Sequence, residues 1–428
     1  MRLLLVAFYF PPAGGGGVQR TLKFCRYLPE FGIDVHVLAP EDPKWFARDE
    51  PLIEQIPATT TVHRVSFVGP RSSFRDDALR GTSGLRRLAV EARYAYERAL
   101  VPDKALPWAL TAVPAGIRIV RREGIDALMA TSPPPSVHLI GEAIATATRR
   151  PLVSDFRDSW LDNPHRNYAK ASVRAKRRVM ARMAGSVVKR SAALVAATGA
   201  IAQELSQLDS GAHHKTSVIE NGADFDDFAD LDHRPNERFT IVHAGSFFGS
   251  RTPRPFLMAV KQLIARRPEL RGRLLVRFIG DLRQSDREFA GGLGIGESWE
   301  ETGFLPYADS IAAQRAADAV LLLIPFADGR GDSVLSGKVF EYIASRRPIL
   351  ASVPPKGVAA NLLRSVEAGE LAGPDDSGEI SQALERLVDR WLERGGLADV
   401  DYPPDVRERL SRRSRTRDLA EVLRGLTV

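Results

Sequence analysis

Two basic side chains stand where simple electrostatics disfavours them. Arg251 lies just before Pro253 in "HAGSFFGSRTP" (243–253), a small-residue loop that follows an apolar run. Lys338 falls in the first turn of the helical stretch "SGKVFEYIASRRPIL" (336–350). A helix N-terminus carries roughly half a unit of positive charge, so a cation there is repelled unless an anion stands between. Both positions therefore ask for a bound anion, and a diphosphate fits. Gly245, Ser246 and Gly249 leave room for close backbone approach. Glu341, one turn beyond Lys338, could accept two ribose hydroxyls. Gly280 closes another apolar run in "RFIGDL" and offers the same kind of open backbone.

The N-terminal part has its own candidates. In "FYFPPAGGGGVQR" (8–20), Gly14 to Gly17 stand between an apolar run and a helical pattern from Val18 to Glu30. Strand, glycine turn and helix make an anion-binding arrangement, because unpaired amides and the helix dipole point at one spot. The spacing does not match a dinucleotide fingerprint, since the third glycine position holds Gln19, and no Gly-Lys-Ser/Thr follows. Phosphate contact and a plain hinge both fit. "DFRDSW" (155–160) brings Asp155, Arg157, Asp158 and Trp160 together, either as a polar-ligand environment or as an internal ion pair beside a surface ring. In "ATSPPPSVHL" (130–139) prolines fix a turn and His138 opens the next helix.

Short apolar runs alternate with helical patterns from end to end, which predicts parallel sheets covered by helices on both faces. Strands are predicted at 2–10, 34–39, 61–67, 126–131, 151–155, 193–197 and 216–219, then at 239–244, 274–279, 319–324 and 348–353. Helices are predicted near 253–267, 308–317 and 336–346. Two such series imply an α/β chain of two doubly wound Rossmann-like domains facing across a cleft, residues 1–222 and 236–405. The polar, Asp-rich stretch 221–238 is the expected seam, and a helix over about 412–428, with Leu419, Val422 and Leu426 on one side, is expected to pack back on the first domain. Residues 69–107 read as irregular, with "GPRSSFRDDALRGTSG" a candidate mobile loop. Ligands in such folds bind beyond the carboxyl ends of the strands, where the candidate residues cluster.

Composition narrows the partners. The 428-residue chain is ordinary in its apolar and charged content, and its longest apolar runs are far too short to span a bilayer. A lone Cys25 excludes an internal disulfide and a cysteine-based metal cluster. A buried first strand fits the N-terminus better than a signal peptide, so the expected location is cytoplasmic. The net charge of +7 favours acidic partners. Residues 169–190 hold eight Lys/Arg and no acid, with Val173, Met180, Met183 and Val187 as an apolar stripe. That describes a solvated surface helix or one drawn to anionic membrane, peripherally on the inner face. Nucleic acid is not expected, because no zinc-finger spacing or RNA-binding sheet motif is present.

The four marks "PPAGGGGVQRTLKFCRYLPEFGIDVHVL", "VIENGADFDDF", "HAGSFFGSR" and "GKVFEYIASRRPIL" together resemble the retaining glycosyltransferases of the GT4 type, which have the GT-B fold. The resemblance implies transfer of a sugar from a nucleotide-diphosphate sugar to a carbohydrate, lipid-linked or small-molecule acceptor hydroxyl. Polysaccharide, glycolipid or glycoside assembly is the implied setting, with no cofactor and no metal. Arg251 and Lys338 would bind the diphosphate and Glu341 the ribose. Main chain near Gly280, Pro306 and Tyr307 would hold the base. Gly245 and Ser246 would complete the donor site, which Gly16 and Gly17 would border. His138 and Asp158 would touch sugar or acceptor, beside Gly15, Gln19, Arg157 and Trp160. The family pairs two glutamates eight positions apart, whereas this chain has Ser333 eight before Glu341. Either Asp332 or backbone amides over Ser333, Val334 and Leu335 would contact the sugar instead.

Two rivals remain on sequence grounds. An NAD-dependent enzyme would use the 8–20 loop, with Glu41 closing the second strand, but leaves 328–350 unexplained. A non-catalytic protein could keep the fold and bind a nucleotide sugar or lipid headgroup.

Overall fold

The structure is a computed structural model that describes residues 1–45, 47–70, 83–162 and 171–426. The chain divides into two compact units. Met1–Asn163, Asn167–Glu220 and Arg415–Val428 form the first, and Asn221–Ser414 make the bulk of the second.

The first unit holds β1 (Arg2–Ala7), β2 (Asp34–Glu41), β3 (Thr61–Ser66), β4 (Ala127–Thr131), β5 (Leu152–Phe156), β6 (Ala193–Ala196) and β7 (Thr216–Val218). They form one sheet in the order β3-β2-β1-β4-β5-β6-β7, with every pairing parallel. The second unit holds β8 (Phe239–Ala244), β9 (Leu274–Ile279), β10 (Trp299–Gly303), β11 (Ala319–Leu323), β12 (Ile349–Ser352) and β13 (Gly369–Ala372). Their order is β10-β9-β8-β11-β12-β13, again all parallel. Each sheet is wound outward in both directions from its first strand, so the units are two doubly wound Rossmann-like folds. The winding reverses between β1 and β4 in one sheet and between β8 and β11 in the other, which opens a crevice beyond those strand ends.

The central strands are apolar over nearly their whole length because helices cover both faces. In the second unit one face packs Phe256, Leu257, Val260 and Leu263 against the sheet, and the other packs Val339, Phe340, Tyr342 and Ile343. In the first, Phe24, Leu28 and the C-terminal residues Leu419, Ala420 and Leu423 share one cluster. Of the C-terminal apolar residues expected on one side, Leu419 is fully buried while Val422 and Leu426 are partly so.

Two strands, β10 and β13, have no apolar run to announce them. "WEETG" and "GELA" lie at the edges of the second sheet, half-exposed, so hydrophobic patterning is weak there. The irregular reading of 69–107 also gives way, because Gly84–Ala99 is a helix. Most of the candidate mobile loop lies outside the described residues. In the helix Ala171–Arg190 the buried stripe is Met180, Ala184, Val187 and Val188, while Val173 and Met183 are only partly covered.

Candidate functional site

In the second unit the loop after β8 and the helix after β11 meet at the point where the winding reverses. Gly245 adopts φ +134°, and a methyl group on it would lie 2.4 Å from both Cε and Nζ of Lys338. Lys338 therefore lies flat on the bare backbone of Gly245. The amide of Gly245 donates to the Ile279 carbonyl at 2.6 Å, and the amide of Ala244 donates to the Tyr342 hydroxyl at 2.9 Å. Gly280, at φ +113°, packs so closely that a Cβ would stand 2.8 Å from the carbonyl carbon of Gly245 and the nitrogen of Ser246. Its amide donates to Gly303 at 2.7 Å, and Ser246 Oγ accepts from the Asp281 amide at 3.1 Å. Three strand ends are thus locked together by glycines that no other residue could replace without strain.

Arg251 is only 8% exposed, its guanidinium lies 5.4 Å from the Phe248 ring, and its Nε has no hydrogen-bond partner. Arg283 holds the loop that carries it, donating to the carbonyls of Gly249 (3.1 Å) and Arg251 (3.0 Å). The buried Asp286 takes Arg254 Nε at 2.7 Å and Arg283 Nε at 2.9 Å, so Arg254 is committed to the scaffold. Burial, together with the neighbouring Arg251 cation, brings the Lys338 ammonium down to about 7, against the pull of Glu341. His243 sits behind them, fully buried, with Nδ1 2.8 Å from the Leu321 carbonyl. That acceptor fixes the tautomer, and burial keeps the ring neutral. Concentrated positive charge with little local neutralisation is what an anion site looks like before its anion binds.

Glu341 projects from the same helix, Gly337–Ala344, and its Oε1 accepts from Gln314 Nε2 at 2.6 Å. Burial raises its carboxyl, while Gln314, Lys338 and Arg412 oppose the shift. Tyr307, opening the helix Tyr307–Ala316 after Pro306, donates its hydroxyl to Asp227 at 2.9 Å. In the loop before Lys338, Gly331 has no room for a side chain, since a Cβ would meet the Pro325 carbonyl oxygen at 2.0 Å. Asp332 is exposed, Ser333 Oγ donates to the Arg330 carbonyl, and the Val334 amide donates to Gly331 at 3.1 Å. The expectation that the amides of Ser333–Leu335 serve a sugar therefore fails at Val334, whose amide the turn itself uses.

The first unit treats its candidates differently. Gly14 donates its amide to Ala47 at 2.9 Å, and Gly15, at φ +86°, caps the helix Gly16–Tyr27. Side-chain space is open at Gly15 and Gly16, whereas Gly17 faces the Tyr9 ring at 3.6 Å. Arg157 donates to the Gly17 carbonyl at 2.7 Å. Asp155 is consumed by a buried ion pair with Arg20 (2.9 Å) and by Thr131 (2.7 Å), while Arg20 also donates to the carbonyls of Ile219 and Glu220, each at 2.8 Å. Gln19 is buried, with neither amide atom hydrogen-bonded.

His138 departs from its expected role. Its ring is completely buried, stacks on Phe156 at 4.3 Å and lies 5.4 Å from Trp160, and burial drops it to about 3. A neutral imidazole with no exposed atom is a packing group here. Trp160 is also covered, its amide held by Glu204 at 3.2 Å, so it is not a surface ring. Asp158 remains exposed at the end of β5.

The structure thus brings Gly245, Ser246, Arg251, Gly280, Lys338 and Glu341 to one place in the second unit. Sequence reading missed Gln314, Tyr342 and Arg283. Gln314 carried a signal, being an uncharged polar residue on the same face as the buried Ile311. Among the described residues no group of three or more His, Cys, Asp or Glu could hold a metal ion.

Comparison with known proteins agrees with this architecture. Residues 15–222 match the family described as "Glycosyl transferase 4-like domain". No curated protein sequence matches the chain. A glycosyltransferase from Rickettsia africae ESF-5 has a similar fold, with TM-score 0.63 and 14% identity over 100% of this chain and 98% of that one. Sucrose-phosphate synthase from Thermosynechococcus elongatus gives TM-score 0.60 and 15% identity over 100% and 99%. The UDP-GlcNAc 2-epimerase from Methanocaldococcus jannaschii gives 0.54 and 10% over 99% and 100%, so similar folds carry more than one chemistry. By its two wound sheets and by the match over residues 15–222, the chain resembles the GT4-type glycosyltransferases of the GT-B fold.

Proposed function

We propose that the protein is a retaining, metal-independent glycosyltransferase that moves a sugar from a nucleoside diphosphate to an acceptor hydroxyl. The observation that carries this reading is the pair of covered cations, Arg251 and Lys338, converging on glycine-lined backbone at the winding reversal of the second sheet. A diphosphate placed there gains two charge-assisted contacts, and the same contacts strengthen as it departs with an extra negative charge. Glu341 holds the ribose, and main chain about Gly280 and Leu305–Tyr307 holds the base. As the sugar–phosphate bond breaks, the acceptor oxygen bonds to the anomeric carbon on the face the diphosphate leaves. Its proton passes to the leaving phosphate oxygen. The acceptor is placed on the first unit, where Asp158 and the open backbone at Gly15 and Gly16 are the accessible groups.

The match over residues 15–222 favours transfer over epimerisation of a nucleotide sugar. The NAD reading loses support, because Gln19 is buried side-chain packing at the position where a dinucleotide fingerprint needs glycine. A thermal-shift screen with UDP, GDP, dTDP, ADP and CDP and their sugars tests the donor class, since a ligand stabilises in proportion to its occupancy. Stabilisation by NAD alone would overturn the proposal, as would release of an epimerised free sugar with no glycoside product. Retention is read from the anomeric configuration of the product, and metal independence from unchanged turnover in chelator.

We also propose a cytoplasmic location with peripheral contact to anionic membrane. The helix Ala171–Arg190 exposes Arg178 and Arg182, one turn apart. Its Lys176 donates to the Leu100 carbonyl (2.6 Å) that ends the helix Gly84–Ala99, whose Leu85 and Leu88 are 85% and 66% exposed. On that helix Arg86 and Arg87 are exposed between the two leucines, and cations beside exposed leucines suit a lipid surface. No helix among the described residues is long and apolar enough to cross a membrane. Binding to phosphatidylglycerol vesicles that fades with salt is expected, and salt-independent binding would refute the electrostatic contact.

A further inference from the structure

Glu341 is not left to orient itself. It lies on a helix of only eight residues, Gly337–Ala344, and its carboxylate is met from a different helix by Gln314. Gln314 is fully buried, and its Nε2 donates at 2.6 Å to Glu341 Oε1 and at 3.3 Å to Ser310 Oγ. Its own carbonyl oxygen, Oε1, is buried with no hydrogen-bond partner. An amide that leaves one end unsatisfied inside a protein is destabilising, so burial for packing alone would favour Leu or Met at this position. Of its two contacts, the one to Glu341 is much the shorter and the one that reaches another helix.

Resting on the donor-site reading above, we propose that Gln314 is a positioning residue that fixes the Glu341 carboxylate for the ribose hydroxyls of the nucleotide. By engaging Oε1 it sets the rotation of the carboxylate plane, so that Oε2 and the remaining lone pair of Oε1 point in a fixed direction. A vicinal diol needs two acceptor sites at a defined angle, and a carboxylate free to swivel would satisfy it only part of the time. Gln314 also favours the charged form of the carboxylate. Burial and Asp227 push the Glu341 proton affinity up, while Gln314, Lys338 from its own helix and Arg412 from the C-terminal segment hold it down. Tyr307 feels the charge of Glu341 and is hydrogen-bonded to Asp227. Removing Gln314 takes away the largest of the opposing influences.

The test uses the full chain and pairs of probes, UDP, GDP and ADP, each beside its 2′,3′-dideoxy counterpart, with affinity measured by calorimetry. The wild type should prefer at least one ribonucleotide over its dideoxy partner by tenfold or more. Gln314→Leu should weaken that ribonucleotide about tenfold and leave the dideoxy form unchanged, bringing the ratio close to one. A second loss should not appear when Gln314→Leu is added to Glu341→Ala. A preserved ratio in Gln314→Leu, or equal weakening of both forms, would overturn the proposal. Gln314→Glu provides a variant that retains shape. Two carboxyls at this distance share a proton, so its ribose preference should persist at pH 5.5 and fade by pH 8. A preference in Gln314→Glu that does not vary with pH would also overturn it. Lys338 acts on the phosphates of both probes and cancels from the ratio. If the wild type bound none of the ribonucleotides, the donor-site reading would fail first, which is a distinguishable result.

Discussion

The two glycine-rich turns that follow β1 and β8 look alike in sequence, each with a run of small residues, then a helix, and arginines nearby. Their arginines do opposite things. In the first unit Arg20 is buried against Asp155 and two carbonyls, and Arg157 is tied to the Gly17 carbonyl. In the second, Arg251 is buried beside a phenylalanine with no carboxylate, and Lys338 lies across bare glycine backbone. One set of cations is already neutralised by the protein. The other set forms no ion pair with a carboxylate among the described residues. The difference teaches that a glycine turn before a helix says little about anion binding until the partners of its cations are known.

Substitutions can break this contrast. The largest effect is expected at Arg20→Ala, which strands Asp155 without its partner and should cost about 3–5 kcal/mol in chemical unfolding. Arg251→Met should leave stability unchanged or raise it, because a buried charge disappears, while donor turnover falls about 10²–10³-fold. Comparable loss of stability in both variants would erase the distinction between the two turns.

The glycines sharpen it further. Gly280→Ala forces a side chain against the backbone of Gly245 at a φ that only glycine tolerates, and should cost about 1–3 kcal/mol by thermal melting. Gly16→Ala meets open space in a helical turn and should be neutral or stabilising by about 0.5–1 kcal/mol. If Gly16→Ala instead raises the acceptor KM with donor affinity intact, the first turn is an acceptor contact.

The smallest expected effect is on pH. Lys338 titrates near 7 in the free protein, far below an ordinary lysine, so its charge is lost as pH rises through that value. A diphosphate binds the charged form, so affinity should fall above pH 7 by at most about tenfold per unit, with net proton uptake on binding. Calorimetry in buffers of different ionisation enthalpy reads that uptake, and Lys338→Met should abolish it. The unliganded protein shows the opposite trend, since its unfolded chain binds the lysine proton up to higher pH. This group therefore makes folding more favourable as pH rises from 7 towards 10.

Much of this was legible in the residues. The eleven expected strands correspond to observed ones because each carries an apolar or β-branched run, including β3 and β7 at the edges of the first sheet. The two that were missed are edge strands, which need only one neighbour and can afford Glu and Gly. Arg251 and Lys338 drew attention because a cation near a helix start is an anomaly that a sequence displays, and Glu341 because it stands one turn beyond Lys338. His138 and Trp160 were misread because burial is a property of neighbours. No local pattern says that a histidine after three prolines will lie beneath Phe156. The Gln314–Glu341 contact was out of reach for the same reason, spanning 27 residues between two helices.

By itself, the sequence determined the alternation of strand and helix, hence parallel sheets, and it placed small and charged residues at the strand ends where ligands bind. Only the tertiary structure decided which of those charges are spent. The reason is physical: secondary structure follows from periodicities of two and 3.6 residues that a chain carries locally. The pairing of a guanidinium with a carboxylate 135 positions away, as in Arg20 and Asp155, depends on how the strands are ordered in the sheet.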